Sequence, residues 1–405
     1  FSGGISGTGG LNVNQTGAAT FALTLTGTNT FTGATTLQNF GWLRLDGDAS
    51  YSNSSELRVN GNSRLTLLSD QTVGSISSSA GTASLVLGSF TLSAGGDNTS
   101  TTVSGVVSGT GNLVKQGNGT LTLDGTNTYS GTTTVSAGTL SVSSDSNLGS
   151  NSVTLAAGST LEITGATTID NAIALSGDAT VSNSADATLS GIISGANGLS
   201  KSGASTLTLS GSNTYSGTTT VSAGTLSVAS DANLGSGAVN LASGTTLAVT
   251  GATTIDNGIV LNGNATVSNS ANATLSGVIS GGNNLTKSGA STLTLSGSNT
   301  YSGTTTISAG TLSVASDANL GSGTVNLASG STLAVTGATT IDNAIALTGN
   351  ATVSNSANAT LSGVISGGFN LAKSGASTLT LSGSNTYSGT TTVSAGTLSV
   401  AGDSN

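Results

Sequence analysis

The chain has 405 residues, of which only 6% are charged, and its 7 basic and 16 acidic residues give a net charge of −9. A nucleic-acid surface needs clustered basic side chains, so this composition argues against nucleic-acid binding. Cys and His are both absent, which excludes disulfides and every catalytic arrangement that uses a thiol or an imidazole.

Two further classes are excluded by the distribution of apolar residues. No run of about 18 apolar residues occurs, so no segment predicts a transmembrane helix. Gly accounts for 61 residues, yet hydrophobic residues reach 35% and recur at regular intervals. A disordered linker has no reason to keep such a register, so we expect an ordered chain.

Residues 1–112 are predicted to be a divergent N-terminal solenoid segment. They contain the only Trp, all three Arg and five of the six Phe. Aromatic and charged residues gather in the stretch from Phe40 to Asp46, which includes Trp42 and Arg44. Trp42 and Arg44 could stack on a sugar or dock a partner. The simpler interpretation is a wider coil whose aromatic side chains fill the core.

The rest of the chain repeats one phrase, which begins at Leu113, Leu199, Leu285 and Leu371 with a constant step of 86 residues. A fixed long period without insertions is typical of solenoids and repeat arrays. The predicted units are 113–198, 199–284, 285–370 and a partial fourth at 371–405. Because the final Asp-Ser-Asn matches Asp145 to Asn147, where earlier copies continue, we expect this chain to be part of a longer protein.

Within a repeat, apolar residues alternate with small polar ones over four to six positions, which predicts short strands with one buried face. Gly, Asn and Asp between these segments tolerate the conformations of tight turns. No window has a helical period, so the chain is predicted to be all-β. The clearest segments are TLTLS (206–210), TTTVS (218–222), AVNLA (238–242), TTLAV (245–249) and NATVS (264–268).

Three all-β architectures compete for this pattern. A propeller blade needs about 40–45 residues, and an immunoglobulin-like array needs about 100 residues per unit. The small aliphatic residues fit a narrow β-solenoid better. If a coil takes roughly 20–22 residues, one repeat makes about four coils, and some 19 coils form a stiff rod on the order of 90 Å long.

Several residues recur once per repeat and are predicted to be structural markers. Like charges stacked on neighbouring coils repel, and four coils separate copies by about 19 Å, beyond the Debye length at 0.1 M salt. The markers are Lys115, Lys201, Lys287 and Lys373; Tyr129, Tyr215, Tyr301 and Tyr387; and Asp145, Asp231 and Asp317.

The phrase resembles a known family. Its Leu-x-Lys-x-Gly opening, the Gly-x-Asn-Thr-Tyr turn and the closing Ala-Gly-Thr-Leu are similar to the passenger-associated transport repeat of bacterial autotransporters. A weaker copy lies at 27–37, with Phe31 in place of Tyr. The resemblance implies a right-handed parallel β-helix exported to the surface of a Gram-negative cell, typically as an adhesin or a stalk. The matching cores are 113–140, 199–226, 285–312 and 371–398.

Chemical activity has little support in the sequence. Polysaccharide-active β-helices need converging carboxylates or basic side chains, whereas these acids are dispersed. Asp231 and Asn233 could offer oxygen ligands to calcium, but the simpler interpretation is an Asx-turn that closes a coil. Thr-rich faces raise an ice-binding alternative, although the TTT tripeptides recur only once per repeat. We expect no enzyme, no cofactor and no metal.

The sequence therefore predicts an extracellular structural fibre or adhesin stalk of a bacterial cell surface, anchored in the outer membrane or released. A self-assembling filament or sheath subunit is the alternative, because open coil ends are unpaired strand edges. The expected partners are other copies of the chain and cell-surface glycans, with no nucleic acid and no membrane span in this segment.

Overall fold

The computed structural model describes residues 1–17, 21–47, 55–79 and 82–402, so the last three positions of the predicted partial repeat lie outside the described residues. The described residues form short β-strands joined by tight turns, together with three one-turn 3-10 helices and no α-helix. The chain divides into two compact units. Unit 1 comprises residues 1–207 and 211–217, and unit 2 comprises residues 208–210 and those from 218 onward.

Unit 1 contains strands β1 to β24 and the first 3-10 helix, Asp145–Asn147. The strands are, in chain order, Leu11–Gln15, Leu23–Leu25, Thr35–Asn39, Trp42–Leu45, Glu56–Val59, Arg64–Leu67, Gln71–Val73, Ser75–Ser78, Ser84–Val86, Leu92–Ala94, Thr101–Val103, Val106–Ser108, Leu113–Lys115, Thr120–Leu123, Thr133–Val135, Thr139–Val142, Val153–Leu155, Thr160–Ile163, Thr168–Ile169, Ile173–Leu175, Ala179–Asn183, Ala187–Leu189, Ile193–Ser194 and Leu199–Ser202.

Strand β25 (Thr206–Leu209) is shared between the units, and unit 2 contains β26 to β49 with the 3-10 helices Asp231–Asn233 and Asp317–Asn319. Its strands are, in chain order, Thr219–Val221, Thr225–Val228, Val239–Leu241, Thr246–Val249, Thr254–Ile255, Ile259–Leu261, Ala265–Asn269, Ala273–Leu275, Ile279–Ser280, Leu285–Ser288, Thr292–Leu295, Thr305–Ile307, Thr311–Val314, Val325–Leu327, Thr332–Val335, Thr340–Ile341, Ile345–Leu347, Ala351–Asn355, Ala359–Leu361, Ile365–Gly367, Leu371–Ser374, Thr378–Leu381, Thr391–Val393 and Thr397–Val400.

Unit 1 is a parallel β-solenoid with three faces. Face A stacks β1-β3-β5-β8-β11-β14-β16-β18-β21-β24, and face C stacks β7-β10-β13-β15-β17-β20-β23. Face B stacks β2-β4-β6-β9-β12 and continues through two irregular segments, 127–130 and 147–150, into β19 and β22. The irregular segments keep the backbone ladder, because Thr128 N–H donates to Val107 O at 2.8 Å and Ser150 N–H donates to Tyr129 O at 3.1 Å.

Unit 2 is built in the same way. Face D stacks β27-β29-β32-β35-β37-β39-β42-β45, and face E stacks β30-β33-β36-β38-β40-β43-β46-β48. Face F stacks β26-β28-β31-β34, passes through the irregular segments 299–302 and 318–322, and continues as β41-β44-β47-β49. The all-β, parallel β-solenoid prediction is therefore confirmed, and the pairings of the described strands within each unit are parallel.

Within the repeats, the coils are on average slightly shorter than a quarter of the repeat, as the register of face A shows. Leu121 pairs with Leu140, and the ladder continues through Leu161 and Val181 to Lys201. Four coils from Leu121 therefore end at Lys201, whereas the counterpart of Leu121 in the next repeat is Leu207. The repeat thus makes slightly more than four coils and does not close on itself, contrary to the whole number suggested by the sequence.

As a result, each repeat begins one face further round the solenoid than the last. In unit 1, β13 opens a repeat on face C, and its counterpart β24 opens the next repeat on face A. In unit 2, β35 opens a repeat on face D, and its counterpart β46 opens the next on face E. The strand ladders run through the predicted repeat boundaries, since β21 pairs with β24. The sequence repeat is thus a stretch of the continuous solenoid, with a fixed starting face, rather than a separate domain.

The core is the lumen between the three faces, filled by alternate residues of each strand. β14, with the sequence TLTL, buries Leu121 and Leu123 and turns both Thr side chains outward. Burial of Leu, Val and Ile in every coil supplies the main stabilising free energy, roughly 25 cal/mol per Å² of apolar surface removed from water. The alternation predicted from the sequence is confirmed.

Candidate functional sites: the repeat residues and the Trp42 face

The recurring Lys residues lie inside the solenoid rather than on its surface. Their strand positions alternate with outward-facing residues, and their side chains are at most 1% exposed. The ammonium group ends at a corner, where backbone carbonyls receive it. Lys115 Nζ donates to Gln116 O and Gly117 O at 2.7 Å each, and to Ala137 O on the next coil at 3.1 Å. These bonds satisfy all three donors of the ammonium group.

The same arrangement recurs at the other three Lys residues. Lys287 Nζ donates to Ser288 O at 2.9 Å and to Gly289 O at 2.6 Å, and Lys373 repeats all three contacts of Lys115. Burial lowers the pKa of Lys201 and of Lys287 to about 8, and it also lowers the pKa of Lys115 and Lys373. A Lys that ties a corner to its neighbouring coil is a structural fastener, not an available surface charge.

Three of the four recurring Tyr residues also belong to the core, whereas Tyr387, near the end of the described chain, is half-buried. Tyr129, Tyr215 and Tyr301 have no exposed surface. The Tyr129 hydroxyl lies 2.6 Å from Thr133 Oγ1, and the Tyr301 hydroxyl lies 2.6 Å from Thr305 Oγ1. Burial raises the pKa of Tyr129 and of Tyr301. In the irregular segments 127–130 and 299–302, one large Tyr side chain therefore fills the part of the lumen that the residues of a regular strand fill in other coils.

The recurring Asp residues open the three 3-10 helices and reach the following coil. Asp145 Oδ1 accepts the backbone N–H of Asp170, and Asp231 Oδ1 accepts that of Asp256, each at 3.0 Å. Asp317 makes the equivalent bond with Asp342. The side-chain bond within the turn comes from Asn233, whose Oδ1 accepts from the backbone N–H groups of residues 229 and 230. Asn233, rather than Asp231, therefore closes this turn.

Each such Asp pair borders a shallow groove of about 270–310 Å³ in the repeats at Asp145 and Asp317. Calcium takes six to eight oxygen ligands, which two carboxylates do not supply. In the part of the chain that the structure describes, no group of three or more His, Cys, Asp or Glu residues gathers to hold a metal ion. The contacts of these Asp residues are those of a coil-to-coil fastener.

Trp42 and Arg44 lie on strand β4 of face B, where Leu43 and Leu45 point into the lumen. The aromatic ring therefore does not fill a widened core, contrary to the simpler interpretation. Its indole N–H donates to Thr66 Oγ1 at 3.1 Å, and the Arg64 guanidinium lies 5.0 Å from the ring centroid. Arg64 is the strand partner of Trp42 on the next coil. We call Trp42, Arg44, Arg64 and Thr66 the Trp42 patch.

Sequence reasoning found half of this patch and missed Arg64 and Thr66. Both lie one coil further along the chain than their strand partners, Trp42 and Arg44. The coil length estimated from the sequence contained this signal, because any residue one coil ahead of Trp42 or Arg44 is adjacent to it on the same face.

The markers identified by the repeat are also those of a known repeat family. A family model described as the passenger-associated-transport-repeat matches residues 13–45, 113–142, 199–228, 285–314 and 371–400. The matched segments contain the buried Lys, the buried Tyr and the strand pairs described above. The chain contains five passenger-associated transport repeats. No curated protein and no solved structure matches the chain.

The five passenger-associated transport repeats include the divergent copy, which spans 13–45 and carries both Phe31 and Trp42. The repeats and the β-solenoid fit the passenger domain of an autotransporter, which implies a location at the cell surface or outside the cell. No helix among the described residues has the length and apolar character to cross a membrane.

Proposed function

We propose that the chain is a structural stalk of a bacterial surface fibre or adhesin, anchored in the outer membrane or released from it. The observation that supports this proposal is the parallel ladder of each unit, whose backbone bonds join successive coils. Buried Lys side chains add a bond to the next coil at Lys115 and Lys373. A solenoid of this kind grows by adding coils, so its length can increase without a new core.

The composition of the outer surface supports the same proposal. Ser, Thr and Asn occupy the outward positions of most strands, and they can hydrogen-bond along the ladder where stacked charges would repel. Asn326 Nδ2, for example, donates to Thr306 Oγ1 on the preceding coil at 3.3 Å. Because these hydrogen bonds order the outer surface, few charged residues are needed there, in agreement with a charged-residue content of 6%.

Electron microscopy tests the proposal on the protein purified from its source cells and on those cells labelled with antibody. We expect labelled projections at the cell surface and purified particles of one fixed length. Filaments of indefinite length would favour the alternative of an assembling sheath subunit with other copies as partners. Label confined to the cell interior would contradict both.

The proposal assigns no catalysis to the chain, because neither His nor Cys is present and the carboxylates contact backbone N–H groups. Assays against neutral and acidic polysaccharides test this assignment. We expect no cleavage. Cleavage that was lost when Asp145, Asp231 and Asp317 were changed to Asn would contradict it.

A further inference from the structure

The cations of this chain are distributed in an unusual way. Of the 7 basic side chains, the four Lys are enclosed in the lumen. Arg58 is paired with Glu56, with 2.6 Å between Nη2 and Oε2, and this bond lowers the pKa of Glu56. The remaining two, Arg44 and Arg64, both belong to the Trp42 patch. On an acidic chain, the two available cations therefore share one face.

Neither of these two Arg residues has an acidic partner among the described residues. The ion pair that the structure contains in its described ranges is Arg58 with Glu56. Arg44 Nε is shielded from solvent and meets no acceptor in the described part of the chain. The acid nearest to Arg44 along the chain is Asp46, which directly follows β4 and accepts the N–H of Gly47. A guanidinium without a carboxylate partner keeps its capacity to bind an anion.

The strand register brings the two guanidinium groups within reach of one ligand. Arg44 pairs with Thr66 and Trp42 pairs with Arg64, so the two Arg residues are diagonal neighbours on adjacent coils. Strand spacing and rise place their Cα atoms about 8 Å apart. Arg64 covers one side of the indole ring. On the preceding coil Leu23 is the partner of Leu43, and continuing this register by one residue places the small residue Ala22 opposite Trp42.

We propose that the Trp42 patch binds an acidic polysaccharide through its carboxylate groups, as in a polymer of uronic acid. The indole ring offers an apolar platform for the C–H face of a sugar, and Thr66 adds a hydroxyl group. The planar guanidinium groups match the planar carboxylate in a two-point hydrogen bond. The ladder of Thr24, Arg44 and Thr66 runs across the coils, so the patch extends over several strands.

This inference rests on the adhesive side of the proposed function, but it is tested separately. Trp42 is the only Trp of the chain, so its fluorescence reports directly on the patch. The 405-residue chain is titrated with polygalacturonate, with neutral dextran and with dextran sulfate at physiological ionic strength. We expect a saturable change in emission with polygalacturonate, no change with dextran and a weaker response to dextran sulfate.

Variants assign the binding to the patch. The double variant Arg44→Gln/Arg64→Gln should weaken polygalacturonate binding roughly tenfold or more, since two charge-assisted contacts are lost. The control Arg58→Gln removes one positive charge from a paired site and should change affinity less than about twofold. Calorimetry on Trp42→Leu, which has lost the fluorophore, should show a similar loss of affinity.

Several results would overturn the inference. These are no response to polygalacturonate, an equal response to dextran, tighter binding of dextran sulfate, or an equal loss in Arg58→Gln. Hydrogen exchange of the repeats in each variant verifies that the solenoid is intact. Because the stalk proposal is tested by microscopy of the cells and particles, failure of sugar binding leaves it standing.

Discussion

The buried Lys has a role that the sequence predicted only in part. The sequence predicted a structural marker whose charged copies lie about four coils apart, without placing the side chain inside or outside the solenoid. In the structure, the alternation of strand β35 places Lys287 on the inward side between outward residues, and the carbonyls of Ser288 and Gly289 receive its ammonium group. The inward position was visible in the alternation, but the carbonyl cage depends on corner geometry that composition does not reveal.

Replacement of Lys287 by Ala should destabilise the coils around β35 by about 2–4 kcal/mol, because it removes a buried stem and charge-assisted hydrogen bonds. Hydrogen exchange of β35 and β37 measures this local change. The matched control is Thr286→Ala, which lies on the outward side of the same strand and should cost less than about 0.5 kcal/mol. Equal protection in the two variants would contradict the buried role of Lys287.

The pKa shifts of the Lys residues predict a pH dependence. Since burial lowers the pKa of Lys201 and Lys287 to about 8, the unfolded chain binds more protons than the folded chain between about pH 8 and 10.5. Stability should therefore be flat from about pH 6 to 8 and rise above pH 8. Above about pH 10 it should fall, because the raised pKa of Tyr129 and Tyr301 makes the unfolded chain release its protons first.

The midpoint of urea unfolding at pH 7.5 and at pH 9.5 measures this effect. We expect a higher midpoint at pH 9.5 for the natural chain and a smaller rise in Lys201→Met/Lys287→Met, which retains the contributions of Lys115 and Lys373. A rise of the same size in this variant, or a fall between the two pH values, would show that the Lys residues are not its source.

The Gly that follows the 3-10 helix is required by the buried Tyr of the preceding coil. A Cβ at Gly321 would lie 2.6 Å from the Tyr301 ring, and it would also contact Tyr301 O. Gly321→Ala should therefore cost about 1–3 kcal/mol or displace the ring. Gly258→Ala is the control, since a Cβ there meets only Val278 O at 3.7 Å, and Ala occupies the equivalent positions 172 and 344.

Local hydrogen exchange around each site compares these two Gly variants. We expect reduced protection near Gly321 and unchanged protection near Gly258. Equal hydrogen-exchange protection in Gly321→Ala and Gly258→Ala would contradict the proposed packing of the Tyr301 ring against Gly321.

At the scale of strands, the alternation of apolar and polar residues was sufficient to predict the fold. Strand β29, for example, falls within the predicted segment TTLAV. The shortest strands were not predicted, because two-residue elements such as β30 have too little pattern for periodicity to identify. The irregular segments were predicted as turns, yet they occupy the positions of strands in the stack, since backbone bonds are retained there and Asn side chains add further bonds between coils.

The relation between repeat and coil could not be read from the period alone. The range of coil lengths that the sequence allowed fits either four coils per repeat or slightly more, and only the strand register decides between them. The advance of one face per repeat follows from the shorter coil, which just accommodates three short strands with tight corners. Of the candidate binding site, Trp42 and Arg44 were found in the sequence, whereas their neighbours depend on the same register.

At the scale of the whole molecule, equivalent repeats should be interchangeable. Deletion of residues 285–370 joins Asn284 to Leu371 and places β46 where β35 was, with the same inward and outward pattern. We expect the shortened chain to fold with unchanged circular dichroism per residue. Deletion of 285–327, half a repeat, brings a turn into a strand position and should reduce the β signal. If the two deletions gave the same circular dichroism per residue, the equivalence of the strands β35 and β46 would be contradicted.

The most direct test of the solenoid is the register of its coils, measured by disulfide formation in a chain that has no Cys. Thr306 and Asn326 are Cα partners on adjacent coils, at a spacing of about 4.8 Å that suits a disulfide. We predict rapid oxidation of Thr306→Cys/Asn326→Cys and little oxidation of Thr306→Cys/Ala328→Cys. Preferential cross-linking of the second pair would mean a longer coil and would contradict the register and the face-by-face advance of the repeats.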